Sequence, residues 1–447
     1  MNRQFISRIS TIAVFAVFLL NNVVAQQSRK DFKINPIVCC DNYLAYPEPN
    51  GDVALTAAPE GYEPCYISHY GRHGSRWLIG RKAYDKAWEV LSEAADSSRL
   101  TALGQRLMLQ LDTLRQRAHG RDGELTPLGA RQHRGIARRM YEHFPMLFSA
   151  KGKVEARSST VIRCILSMAN ELAELQGLSP QLSIDMDAAS VDMAFINNPE
   201  KIKDSNGNRR SGNGSGEFRS RHFSPDRFLN TIFSDEGYWR RHIEHPSRFV
   251  VDDVWKLVAD MQSLEPACGI DLSGYFTDEE MYNIWLVRNA EWYNSHGPSQ
   301  QGVSKQMLKQ HNLLRNIVEK ADSCLALIAQ GSSEAVTANL RFGHEVVVMP
   351  TVCALNLNGF GTKYEDLEQL EQQGWYSYRI FPMASNIQMV FYNHAGKDTL
   401  VKVLLNEREA TMPQLTAVYG DVYYKWSDVR SYIRTLIDSY EKQIEHE

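Results

Sequence analysis

From residue 61 onward, strand-like and helix-like segments take turns along this chain, and that alternation leaves few ways of burying its apolar residues. The first clear strand is Cys65 to Tyr70 (CYISHY), closed by Gly71. Helical periodicity follows at 81–96 and 101–118. Thr126-Pro127 opens a third helix: Thr caps it, and Pro is tolerated in a first turn, where its missing N–H has no partner to lose. That helix runs to about His143. A short strand is expected at 153–157, a helix at 160–176 and a further strand from Gln181 to Asp185. After a long helix at 304–330 come a strand at 335–342, a helix from 345, and strands at 386–392 and 400–405. Strands separated by helices predict an α/β fold with a mostly parallel sheet core flanked by helices.

Two regions break the alternation. Residues 26–60 carry Pro36, Pro47, Pro49 and Pro59 and read as an extended lead-in. Residues 190–303 read as a mostly helical cap inserted between the core segments 61–189 and 304–447. Within the cap, 201–221 is rich in Gly, Asn, Ser and Arg and is expected to be a mobile basic loop. Residues 1–25 combine Arg3 and Arg8 with the apolar run Thr11 to Leu20 and a small residue, Ala25, before Gln26. They read as a signal peptide, which predicts a secreted or periplasmic protein. The apolar run falls short of the ~20 residues that span a bilayer, and no later stretch reaches that length. Seven cysteines are scattered without a zinc spacing, and their pairing stays open. A net charge of −4 argues against a nucleic-acid-coating protein, so any site for a polyanion has to be a local basic pocket.

Three segments carry chemistry. Arg72-His73-Gly74-Ser75-Arg76 follows the first strand, and ligands of open α/β sheets bind at the carboxyl ends of strands. A neutral imidazole can attack phosphorus and form a phosphohistidine. Guanidinium forks on both sides can hold the phosphate oxygens. Gly74 allows a sharp turn and close approach of the backbone. Arg157 to Arg163 runs from a strand end into a helix, where free N–H groups favour an anion, and Arg163 can point back to the same phosphate. Arg341-Phe342-Gly343-His344-Glu345 repeats the strand-to-helix pattern, with Gly343 expected to permit the turn. His344 can stabilise charge on the transferring group, and Glu345 can protonate a leaving alkoxide. Alone, each has a plainer reading: a solvated basic turn, an Arg on an exposed helix face, a first-turn acid favoured by the helix dipole.

Together these segments resemble the acid phosphatase and phytase branch of the histidine phosphatase superfamily. Tyr66 to Trp77 (YISHYGRHGSRW), Leu125 to Gly129 with Gln132, Pro382 to Asn386 and Tyr424 to Val429 are most similar to its multiple inositol polyphosphate phosphatases. The similarity runs from about 43 to 430. The resemblance implies His73 as nucleophile, Arg72, Arg76 and Arg163 as phosphate-holding residues and His344 as the second histidine. Where the inositol group has His-Ala-Glu, this chain has His344-Glu345-Val346, so the acid stands where acid phosphatases and many phytases carry Asp.

The expected reaction is two-step hydrolysis of a small phosphomonoester, without metal or other cofactor. The leading substrate class is a phytate-like inositol polyphosphate. Arg209, Arg210, Arg219 and Arg221 in the cap loop are candidate contacts for distal phosphates. The alternatives are a broad acid or sugar phosphatase on the same site, or a non-catalytic binder of phosphorylated ligands.

Overall fold

The computed structural model describes residues 27–49, 54–200, 202, 215–264, 270–300 and 302–445. The signal-peptide reading of residues 1–25 lies outside them. One eight-stranded sheet organises the rest, in the order β3-β2-β4-β1-β5-β6-β7, with β8 pairing with β6. The strands are β1 (Glu63–Arg72), β2 (Lys153–Ser158), β3 (Ser183–Asp187), β4 (Ala338–Gly343), β5 (Asn386–Asn393), β6 (Leu400–Leu405), β7 (Arg408–Ala410) and β8 (Tyr423–Lys425). β3, β2, β4 and β1 are mutually parallel, and β5 to β8 extend the sheet in antiparallel fashion.

Nine helices matter here: α1 (Lys82–Asp96), α2 (Ala102–Arg117), α3 (Pro127–His143), α4 (Ile162–Leu178), α5 (Ser215–His222), α6 (Asp278–His296), α7 (His311–Ala329), α8 (Glu345–Ala354) and α9 (Trp426–Glu445). Alternation along the strands sends side chains to two cores, one on each face. Ile67, Val154, Leu340 and Val390 pack under Ile136 and Met140 of α3 and Met168 and Leu172 of α4. Tyr66, Met389 and Phe391 join the other core, which runs without a break through α1, α2, α7 and α9 into Trp239, Trp255 and Trp285 of the 190–303 region.

The lead-in differs from its expected extended form. Residues 27–34 are helical, and Pro36–Tyr43 is a 3-10 helix with Cys39, Cys40 and Tyr43 buried. Proline at the start of a helix costs no hydrogen bond, which is why Pro36 does not prevent it. The described end of the expected cap loop is also helical, as α5. All six cysteines among the described residues are free thiols. No described helix is long and apolar enough to cross a membrane.

Candidate active site

Three neighbouring parallel strands end at one level and deliver the three chemical segments together. Arg72 at the end of β1 lies opposite Gly343 at the end of β4, and Ser158 at the end of β2 lies opposite Phe342. His73 N–H donates to the Gly343 carbonyl at 2.9 Å, and Ser159 N–H to Phe342 at 2.9 Å. The rings of His73 and His344 therefore come within 5.6 Å of each other, steeply inclined at 72°. Arg163, expected one turn into its helix, sits in the first turn, because α4 starts at Ile162.

The loop from Arg72 to Arg76 is held from every side. Gly74 N–H donates to Ser167 Oγ at 3.1 Å, and Ser75 N–H to Gln132 Oε1 at 2.9 Å. Gln132 Nε2 also donates to Ser75 Oγ, and Thr126, which caps α3, donates to the Ser75 carbonyl. From the 381–385 segment, Ala384 N–H donates to the His73 carbonyl at 3.0 Å, while Arg72 N–H donates to Ser385 at 2.8 Å. The glycines serve close packing here. A Cβ on Gly74 would stand 2.5 Å from the Gly129 carbonyl oxygen. One on Gly343 would collide with the Tyr70 hydroxyl, so Gly343 makes room for that tyrosine and needs no unusual backbone angle.

His73 is fully buried, and its Nδ1 lies 2.9 Å from the Gly74 carbonyl. A carbonyl only accepts, so Nδ1 carries the proton and Nε2 keeps a lone pair facing the cleft. Burial, aided by Arg72 and Arg163, pushes the imidazole well below its ordinary pKa despite the opposing Glu345. Arg72 Nη1 donates to the carbonyls of Asn42 and Phe381 at 2.6 and 2.8 Å. Its Nε and Nη2 are buried without a hydrogen-bond partner, as are Arg76 Nε, Arg163 Nε and His73 Nε2, although the Glu345 carboxylate lies beside Arg72 Nε as an ion-pair neighbour. Buried polar groups left in this state are costly unless a ligand satisfies them. Five such atoms, four of them guanidinium N–H groups, call for an oxyanion.

Glu345 stands in that space. Its Oε2 lies 3.2 Å from Arg72 Nε and 3.6 Å from His73 Nε2. Burial alone would raise its pKa, but Arg72, His73 and Arg76 outweigh burial and hold it well below the ordinary carboxylate value. His344 is pushed down to about 4 by burial, with Glu345 opposing and Arg163 and Arg72 assisting. Ser159 Oγ lies 3.2 Å from His344 Nε2. From the cap region, His296 at the end of α6 is also lowered to about 4 by burial and feels the Glu345 charge. Nothing in local sequence pattern marks Ser159 or His296; only their spatial neighbours do. Donor atoms of His73, His344 and Glu345 lie within 4.8 Å of one another, a spacing a metal ion can use. The surrounding arginine charges favour an anion there instead.

Of the four cap arginines, the two described ones are paired with carboxylates. Arg209 and Arg210 lie outside the described residues. Arg219 Nε donates to Glu291 at 3.0 Å and its Nη1 to Asp252 at 3.1 Å, and Arg221 lies 3.4 Å from Glu368. Their charge is already met by carboxylates of the same protein, which weakens their candidacy as phosphate contacts.

A pH dependence follows from these shifts. An anion in the cleft raises the depressed pKa values of His73, His344, His296 and Glu345, so binding takes up protons. Sulfate does not titrate in this range. Its affinity should rise as pH falls from 7 through the free-site value of His344, about 4. Calorimetry in buffers of differing ionisation enthalpy should show proton uptake near neutral-to-acid pH, reduced in Glu345→Gln. An affinity independent of pH would contradict the electrostatics described here.

Comparison with known proteins gives three findings. Residues 72–406 match the histidine phosphatase superfamily (branch 2). Multiple inositol polyphosphate phosphatase 1 of Gallus gallus is 23% identical over 348 residues, covering 70% of each chain. Among solved structures, the multiple inositol polyphosphate phosphatase of Bifidobacterium longum, in complex with inositol hexasulfate, is similar with a TM-score of 0.73 at 18% identity, over 88% of this chain and 97% of that one. The phytase from D. castellii is similar with a TM-score of 0.62 at 13% identity, over 92% of this chain and 87% of that one.

Proposed function

This chain belongs to branch 2 of the histidine phosphatase superfamily, and we propose that it hydrolyses inositol polyphosphates of the phytate kind through a phosphohistidine on His73. The observation that carries the reading is the set of buried, unpartnered guanidinium N–H groups converging on the free Nε2 of His73. Arg72, Arg76 and Arg163 would hold the three peripheral oxygens of a phosphoryl group and neutralise its charge before attack. His73 Nε2 attacks phosphorus as the ester oxygen departs. His344 supports the equatorial oxygens. Glu345 gives its proton to the leaving alkoxide, and as a carboxylate it then accepts a proton from the water that cleaves the phosphohistidine.

For that sequence Glu345 must change partners. In the free site its carboxylate stands beside Arg72 and His73, where a phosphate would lie. An incoming phosphate takes over the arginine charge, and the carboxyl is then free to acquire the proton it needs.

The substrate class rests on relatives named for inositol polyphosphates and phytate. The export signal read in residues 1–25 would place the mature enzyme in the periplasm or outside the cell. Phytate assayed beside simple sugar phosphates tests the substrate class. A kcat/KM at least about 10-fold higher for phytate, about 1.4 kcal/mol of added transition-state binding, is expected. Equal or reversed values would assign a broad acid or sugar phosphatase to the same site.

A further inference from the structure

Beneath the nucleophile loop lies a buried cluster that the reaction above does not use. His133 on α3 and Glu171 on α4 are 1% and 0% exposed, and His133 Nδ1 lies 2.8 Å from Glu171 Oε2. His69 on β1 completes the cluster, also buried, with neither ring nitrogen partnered and a pKa lowered to about 4 by burial. The rings of His69 and His133 both lie against Phe342, at 5.6 and 5.9 Å. The cluster thus touches the strand carrying His73 and the one carrying His344.

Its place relative to the loop is the informative part. His133 follows directly on Gln132, which grips Ser75. Glu171 is one helical turn beyond Ser167, which grips Gly74. The two hands that hold the residues after His73 therefore come from two different helices. Those helices are tied next to the hands by one buried hydrogen bond. Besides the apolar packing of Ile136 and Met140 against Met168 and Leu172, the other side-chain hydrogen bonds between α3 and α4 among the described residues, Arg134 to Asn170 and Arg138 to Glu174, are exposed. Exposed pairs of that kind set spacing weakly, whereas a buried carboxylate has no water to replace a lost partner.

We propose that Glu171 is a positioning residue for phosphoryl transfer. Its hydrogen bond to His133 sets α4 against α3, and so sets Ser167 and Gln132 on the backbone that aims His73. This rests on the reading of His73 as the nucleophile. Attack requires near-contact geometry, and a displacement of about 1 Å can cost about 10²-fold in rate. Holding phosphate is less exacting, because long guanidinium side chains can follow a small shift of the backbone and Arg72 is anchored elsewhere, by the carbonyls of Asn42 and Phe381.

The test uses the whole chain and nitrophenyl phosphate, with kcat, KM and the rate of phosphoenzyme formation in a rapid quench as readouts and thermal melting as the check on folding. Glu171→Leu removes the acceptor at similar size. It should leave KM within about 3-fold and slow phosphoenzyme formation by about 10²-fold. Glu171→Gln keeps an oxygen for His133 Nδ1–H and should restore the rate to within about 3-fold of the native enzyme. Glu171→Asp keeps the charge on a shorter arm. It should lose about 10-fold, and it decides the matter if the leucine variant fails to fold. A folded Leu variant or an Asp variant that phosphorylates at the native rate overturns the proposal, as does a Gln variant as slow as Leu. Absence of phosphohistidine in the native enzyme overturns the parent reading of His73 and this proposal with it. The first three failures leave native phosphohistidine intact, so the two cases are told apart.

Discussion

Replacing His73 with alanine should stop phosphate transfer while leaving the protein folded and still able to hold an oxyanion. The lost group is the proposed nucleophile, and the other imidazole of the site, His344, has its Nε2 engaged at 3.2 Å from Ser159 Oγ. Loss of a nucleophile that acts with its partners as a unit typically costs about 10⁴-fold or more in kcat. The fold should tolerate the change, since His73 is seated by backbone hydrogen bonds to Gly343 and from Ala384, which alanine retains. Sulfate binding should persist because Arg72, Arg76 and Arg163 remain. The decisive measurement is quenching of the native enzyme in turnover with strong base: phosphate that is stable to base and labile to acid should appear on His73, and none on the variant. Phosphate on His344, or on no residue, would refute the assignment.

The second large effect is expected at Glu345, and it should depend on the leaving group. Glu345→Gln keeps size and hydrogen bonding but cannot give a proton. An inositol or sugar alkoxide needs that proton, and general acid catalysis is usually worth about 10²–10⁴-fold. Nitrophenolate is a weak base and hardly needs it, so the rate of phosphohistidine formation from nitrophenyl phosphate should fall much less, while the water step, common to both substrates, slows alike. Phosphohistidine should still form from the aryl ester. The sign of the pH dependence follows as well. The native enzyme should lose kcat on alkoxide substrates as pH rises through the pKa of Glu345 in the complex, and the variant should lose that limb. If Glu345 merely favours the helix dipole as the first residue of α8, the variant should lose a few tenths to about 1 kcal/mol of stability and turn over both substrates nearly as well. A small effect equal on both would remove Glu345 from the reaction.

Much of the framework could be read from periodicity because its causes are local. β1 at Glu63–Arg72, α1 to α4 and β4 to β6 lie within a few residues of their expected spans. The Thr126-Pro127 start is a local event too: the threonine oxygen accepts from Gly129 N–H whatever the helix packs against. The errors fall where packing overrode local signals. Pro36 to Tyr43 reads as extended, yet it is coiled, with Cys39 to Tyr43 buried and the Asn42 carbonyl accepting from Arg72 Nη1, a partner remote in sequence. The basic residues Arg219 and Arg221 read as free charge, but their carboxylate partners are remote in sequence, at Asp252, Glu291 and Glu368.

The site divides along the same line. Residue types and their positions at strand ends are properties of the chain order, so Arg72, His73, Arg76, Arg163, His344 and Glu345 could be singled out before any fold was known. Which strand ends lie side by side is a matter of sheet order, and β1, β4 and β2 become neighbours only when the chain crosses over to pair them. That pairing sets the 5.6 Å between two imidazoles 271 positions apart in the sequence. It also buries guanidinium N–H groups that have no hydrogen-bond partner and brings Glu345 against Arg72. Pairwise distance and desolvation decide protonation, and both depend on residues far apart in the chain. The sequence therefore names the acid, the base and the cations; only the folded sheet decides which of them carries a proton.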